Sequence, residues 1–320
     1  MPGQDVDIEA WLRRIGYDGP RAPTLATLRG IVAAHATTIP YETIDPLLGR
    51  PPSLDVAALQ RKMIAGGRGG YCFEQNTLLR AGLRALSFAV TGLQARVVRN
   101  LAIDAERPAL HMVLRVDLPQ EGAFLADVGF GNIAPTAPLA LRPLVEQATP
   151  HEPMRFLPLG EELVLQAKFS DDAWEHIYRV VPLPRVDAEY EIANWFAATH
   201  PTSVFANNLI ATRPGPGRTR LTLFNERLVV RRATGEAERR VLQNAGEYRA
   251  ALADLFGLTL SAAEVGTILD ALERKGARGG PTPLLCVSGV RRSLPKNPAR
   301  ARKSGASRPN AIRPLHCRPR

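Results

Sequence analysis

Arg68-Gly69-Gly70-Tyr71-Cys72-Phe73-Glu74-Gln75-Asn76 is the stretch on which fold and chemistry turn, because it sets a lone cysteine where a glycine-rich loop gives way to a helix. Gly66, Gly67, Gly69 and Gly70 exclude a stable helix before Tyr71, whereas Leu78, Leu79, Leu83 and Leu86 recur beyond it on one helical face. Cys72 therefore falls in or beside the first helical turn. There the unpaired backbone N–H groups and the positive end of the helix dipole favour the thiolate, the nucleophilic form of cysteine. A small core hydrophobe is the competing reading for a buried cysteine. Against it stand the charge of Arg68, the Gly69-Gly70 pair, which lets a ligand approach the backbone, and suitable partners downstream. A phosphate-binding loop fails on spacing, since no Gly-Lys-Ser/Thr follows the glycines.

A cysteine nucleophile needs a base, and the base needs a third group to fix its tautomer. His111 opens a strand-like run ending at Leu118, and Asp127 lies in a second, Ala123 to Val128, with the turn signal Pro119-Gln120-Glu121-Gly122 between them. If the hairpin pairs Asp127 with Val113, His111 projects from the same sheet face, diagonal to the acid and within reach. A one-residue slip sends the two to opposite faces. His35, His151, His176, His200 and His316 lack this combination of strand and hairpin-linked acid. No two histidines are spaced i, i+4 and Cys72 has no neighbouring cysteine, so a metal site is disfavoured.

Arg68 to Asn76 resembles the active-site segment of the arylamine N-acetyltransferases, and His111 and the run Asp127-Val128-Gly129-Phe130-Gly131 resemble the other two signature regions of that family. The resemblance covers about residues 1–276, in order. In Ile39-Pro40-Tyr41-Glu42-Thr43 the chain departs from it, since Phe and Asn are usual where Tyr41 and Thr43 stand; the departure touches support around the site, not Cys72, His111 or Asp127. The resemblance implies a ping-pong transfer from acetyl-coenzyme A, used as a substrate with no tightly bound cofactor, through an acetyl-cysteine to an arylamine, arylhydrazine or N-hydroxyarylamine. It also implies Arg68, Gly70, Tyr71, Phe73, Gly129, Phe130, Gly131 and Phe205 as candidate contacts of substrate or coenzyme A, with a packed aromatic and a tight turn as the competing reading of the last four. A transglutaminase-like or other thiol acyltransferase or hydrolase is the alternative. The His lies 39 residues after the Cys, far closer than the roughly 130 of papain-like proteases.

The 320 residues, 45% of them hydrophobic, can bury a sizeable core. No apolar run approaches the roughly 20 residues of a membrane span, Met1-Pro2-Gly3-Gln4-Asp5 lacks the basic and apolar regions expected of a signal peptide, and three cysteines make no disulfide framework. The expected setting is a reducing cytoplasm, with a homodimer an allowed assembly. The net charge of +10 is unevenly spread: residues 277–320 hold 11 Lys or Arg and no acid, leaving 30 basic and 31 acidic residues in the body. Nucleic acid is thereby disfavoured as a partner of the body.

The expected architecture is α+β, around a transglutaminase- or cysteine-protease-like Cys-His-Asp core. Residues 1–86 read as a helical bundle carrying the nucleophile, with stripes at Ile8, Trp11, Leu12, Ile15 and at Leu25, Leu28, Val32, then a helix capped by Ser53. Residues 87–190 read as an antiparallel β-barrel or sheet carrying His111 and Asp127. Residues 191–276 read as an α/β lid with strands at Leu209 to Thr212 and Arg220 to Val230, closed by two helices. Ser261 and Glu264 have capping-box spacing there. Residues 277–320 form a basic, Pro-rich tail expected to be disordered.

Overall fold

The computed structural model describes residues 5–169 and 173–277. The expectation for the basic tail, with Cys286, Cys317 and His316, lies outside the described residues.

Helix α1 (Ile8–Ile15) starts under Asp7, whose side chain accepts the Ala10 N–H at 2.9 Å, and stops at Gly16, where φ is 70°. It buries Trp11, Leu12 and Ile15. Helix α2 (Leu25–Thr38) leads through Ile39-Pro40 into the short strand β1 (Tyr41–Glu42) and helix α3 (Ile44–Leu47). The next helix, α4 (Val56–Leu59), is capped by Asp55, not by Ser53. Asp55 stands directly before the apolar run and reaches the Ala58 N–H at 2.9 Å, a position Ser53 is too far upstream to fill. A π-helical turn, Gln60–Ala65, follows. Helix α5 (Cys72–Ala85) opens on Cys72 and is buried along most of its length.

A seven-stranded antiparallel sheet comes next: β2 (Ala89–Val97), β3 (His111–Leu118), β4 (Gly122–Ala126), β5 (Leu139–Ala140), β6 (Met154–Leu159), β7 (Glu162–Lys168) and β8 (Trp174–Val181). Its strand order is β5-β4-β3-β2-β8-β7-β6. One face packs on α5, through Met112, Leu114 and Val116 against the helical core. The other holds Leu93, Val113, Leu125, Phe156, Leu165 and Tyr178 in a core of its own.

Helices α6 (Asp187–Thr199) and α7 (Val204–Asn207) lead to a second sheet, β1-β9-β10-β11-β12. Its later strands are β9 (Ile210–Pro214), β10 (Arg220–Phe224), β11 (Arg227–Arg231) and β12 (Ala237–Val241). The single strand expected over Arg220 to Val230 is thus a hairpin, turned at Asn225, whose φ of 51° suits the left-handed tolerance of Asn. Helices α8 (Ala245–Phe256) and α9 (Ala262–Arg274) pack on this sheet, and Ser261 and Glu264 make the expected capping box. The fold is α+β. No helix among the described residues is long and apolar enough to cross a membrane.

Candidate active site

Three separate elements deliver Cys72, His111 and Asp127 to one place. Cys72 is the first residue of α5, where backbone N–H groups have no partner inside the helix. His111 is the first residue of β3, and Asp127 follows the last residue of β4. Because Leu114 pairs with Ala126, Asp127 extends the register to Val113 and stands diagonal to His111. The outcome is a bond of 2.8 Å between His111 Nε2 and Asp127 Oδ2. That leaves Nδ1 unoccupied by Asp127, and Cys72, whose Sγ lies 4.0 Å from Leu110 O, lines the same cleft as the ring.

Asp127 is fully buried, and both of its oxygens are occupied. Oδ2 also accepts the Tyr178 hydroxyl at 2.9 Å. Oδ1 accepts the Asn76 side-chain amide and the Gly129 N–H, each at 2.9 Å. Burial alone would raise this carboxyl, but the His111 charge and these donors hold it below its usual range. Burial pushes His111 down; the charge and hydrogen bond of Asp127, reinforced by Cys72, outweigh it and bring the ring up to about 10. The imidazole is therefore protonated at neutral pH. Phe130 and Tyr178 enclose its ring, with centroids 5.0 and 5.1 Å away.

Asn76 and Tyr178 are the functional residues the sequence did not single out. Asn76, one turn along α5 from Cys72, donates to Met112 O at 2.8 Å as well as to Asp127, and its Oδ1 accepts the Val128 N–H at 3.1 Å. It therefore ties the nucleophile's helix to both strands of the hairpin. A polar residue on a helix and a tyrosine on a strand carry no local mark of such roles.

A cleft opens at Cys72 and His111, lined also by Gly129, Phe130, Gly131 and Phe205 and by the apolar side chains Val97, Leu110, Val204 and Ile210. Its polar side holds Asn132 and a row of three residues adjacent across β1, β9 and β10: Tyr41, Thr212 and Thr222. Arg68, Gly70, Tyr71 and Phe73 are not among the lining residues. Arg68 instead pairs with Glu42 at 2.6 Å. Tyr71 is fully buried, bonding the Asn194 side chain and packing edge-on against Phe205 and Phe73. The glycines permit close packing. A Cβ on Gly69 would lie 2.1 Å from Pro40 O, and one on Gly70 would lie 2.8 Å from Glu74 Oε2. At Gly129 it would lie 2.7 Å from Cys72 Cα, so only glycine lets the strand end close on the sulfur's helix.

Comparison with known proteins places the chain in a family. A family model described as N-acetyltransferase matches residues 24–265. An arylamine N-acetyltransferase of Mycobacterium tuberculosis is 39% identical over 259 residues, which is 80% of this chain and 90% of that protein. A Salmonella typhimurium protein named arylamine N-acetyltransferase / N-hydroxyarylamine O-acetyltransferase is 34% identical over 68% of this chain and 76% of its own. The solved structure of Mycobacterium marinum arylamine N-acetyltransferase in complex with CoA superposes with a TM-score of 0.78 at 37% identity, covering 84% of this chain and 99% of that one.

Proposed function

We infer the roles of individual residues from the premise that this chain belongs to the arylamine N-acetyltransferase family. It is an acyltransferase that takes acetyl groups from acetyl-coenzyme A and passes them to arylamines, with arylhydrazines and N-hydroxyarylamines as further acceptors of the same kind. Cys72 is the acyl carrier, His111 the proton carrier and Asp127 the group that orients His111.

In the first half-reaction the thiolate of a Cys72–His111 ion pair attacks the thioester carbonyl carbon. The tetrahedral intermediate collapses, the coenzyme A sulfur leaves and takes the proton from His111, and acetyl-Cys72 remains. Acylation removes the sulfur's negative charge, one of the causes that hold His111 high. The ring, having given its proton to coenzyme A, is neutral and held less strongly in the charged form, so it is available to take a proton from the acceptor. In the second half-reaction the acceptor nitrogen attacks the acetyl carbon and passes its proton to His111 Nδ1. Cys72 leaves as the thiolate, which restores the ion pair. Asp127 holds Nε2 throughout and stabilises the imidazolium.

The lining residues include no Asp, Glu, Lys or Arg, so the cleft suits flat, uncharged aromatic amines, with Tyr41, Thr212 and Thr222 facing a polar ring substituent. A reducing, cytoplasmic setting keeps the Cys72 thiol free for this chemistry. The observation that carries the reading is the 2.8 Å His111–Asp127 bond beside a cysteine at a helix start. The test is a two-stage transfer: protein exposed to acetyl-coenzyme A and freed of it by gel filtration should then acetylate an aniline stoichiometrically. A hydrolase would instead release acetate and leave the amine unmodified.

A further inference from the structure

Beneath the loop that delivers Cys72 lies a network of five charges, with Glu42 and Glu74 buried and Asp45, Lys62 and Arg68 half-buried, that the acyl-transfer steps do not use. Lys62, from the π-helical turn, sits 2.6 Å from Asp45 Oδ2, 2.7 Å from Glu74 Oε1 and 3.9 Å from Glu42 Oε1. Arg68, from the loop, sits 2.6 Å from Glu42 and 3.6 Å from Asp45. Glu74 is two residues after Cys72, and its Oε2 accepts the N–H of Tyr71 at 3.1 Å, capping the first turn of α5. It also packs on Gly70, where no Cβ would fit. Glu42 Oε2 accepts the Ile44 N–H at 2.7 Å, and the Glu42 N–H donates to Gly70 O at 3.2 Å. Both sides of the Gly69-Gly70 turn are thus tied to this network.

Charge balance makes Lys62 the critical member. With all five ionised, two cations face three carboxylates. Glu74 is fully buried; burial raises its carboxyl, Lys62 lowers it and Glu42 raises it again, to about 7. Lys62 is held above its usual range, because the charges of Glu42, Glu74 and Asp45 outweigh its burial. The surrounding charges are Arg50 beside Asp45, Glu264 facing Arg68 from α9, and Arg14 of α1, whose guanidinium donates to Met63, Gly67 and Arg68 carbonyls. Of the cations, Lys62 alone reaches Glu74 within 4.0 Å among the described residues. An uncompensated carboxylate there would take a proton, and a protonated Glu74 is a weaker cap for the Tyr71 amide.

We propose that Lys62 is a positioning residue for the nucleophile: its ammonium keeps Glu74 an anionic cap on the helix that begins at Cys72, and so fixes the sulfur against His111. Lys62 stands in the π-helical turn Gln60–Ala65, a rare element found mostly at functional sites. The proposal rests on Cys72 as the acyl carrier. Acetylation of wild-type Cys72 tests that premise separately, so the two failures are distinguishable.

The experiment is the rate of coenzyme A release in a single turnover, followed from pH 5.5 to pH 9 (about the stable range expected below). Lys62→Met should slow acylation about fivefold at neutral pH, the fall in anionic Glu74 when a group that titrates near 7 is raised by about one unit. Its acid limb should move up by about one pH unit. Lys62→Arg should stay within about threefold of wild type, since it keeps the charge if not the shape. Glu74→Gln introduced into Lys62→Met restores the native charge balance and keeps an oxygen acceptor for Tyr71. The double variant should therefore recover most of the lost rate. A Lys62→Met protein with wild-type rate and acid limb overturns the proposal. So does a loss that Glu74→Gln leaves unrelieved in a protein with native circular dichroism, because a merely structural ion pair gives that pattern. If Lys62→Met does not fold, Glu74→Gln alone decides: the limb near pH 7 should vanish from its profile, and an unchanged profile overturns the proposal.

Discussion

Asp127 has four hydrogen-bond donors, three of them side chains that can be removed singly. Tyr178→Phe deletes one and leaves the ring that packs on His111 and Phe130. A buried acceptor left short of a donor costs about 1–3 kcal/mol, so the expected outcome is a roughly 5- to 100-fold fall in kcat/KM with little change in KM. Steady-state kinetics check it, and a change confined to KM would place Tyr178 in substrate binding instead. Asp127→Asn keeps the shape but misaligns the His111 tautomer. By analogy with other triads it should lower kcat by about three to four orders of magnitude. At this scale the sequence was informative where chemistry leaves a mark on residue type. Cys72, His111 and Asp127 stand out because a thiol, an imidazole and a carboxylate are scarce in such contexts. The partners of Arg68 carry no such mark, since Glu42 and Asp45, which pair with it in the fold, come from other elements.

Among the elements, the hairpin of β3 and β4 and the start of α5 decide the site. The hairpin was legible because alternation, a turn signal and the need to put His111 and Asp127 on one face agree on a single register. The two-residue strand β1 and the π-helical turn were not, because neither is long enough to show a period. Asn225 does carry a turn preference, but it sits in a run of β-formers that hid the reversal. Gly129 joins the two deciding elements, and Gly129→Ala tests the junction. A Cβ 2.7 Å from Cys72 Cα must push the strand end away. The expected result is a stability loss of about 1–3 kcal/mol, as for overpacking, read by denaturant unfolding, with acylation slowed more than tenfold. Wild-type acylation in that variant would mean the strand end yields freely and does not set the sulfur's position.

Over the whole molecule, buried titratable groups set the pH range of stability. His35 bonds Gln75 at 2.9 Å and is held down to about 4 by burial, and His151 is likewise lowered to about 4 by burial and by Arg220. Both stay neutral in the fold while the unfolded chain takes up protons, so each makes stability rise with pH between about 4 and 6.5. Glu74 acts oppositely, binding a proton in the fold up to about 7. The two histidines outweigh it. Above about 6.5 the raised His111 reverses the slope, since its contribution is present below its unfolded value and lost as pH climbs toward about 10. Melting temperature should therefore peak near neutrality and fall on both sides. A monotonic rise from pH 5 to pH 9 would contradict these assignments. The order of helices before strands was readable from the patterns along the chain, whereas the return of β1 to pair with β9 was not, because Tyr41 and Thr212 are 171 positions apart. The most direct measurement is intact mass and peptide mapping of the full-length protein after mixing with acetyl-coenzyme A. The expected result is one added acetyl group, on Cys72, absent from Cys72→Ala and removed on addition of an arylamine. A folded protein that gains no acetyl group, or gains it on another residue, contradicts the account.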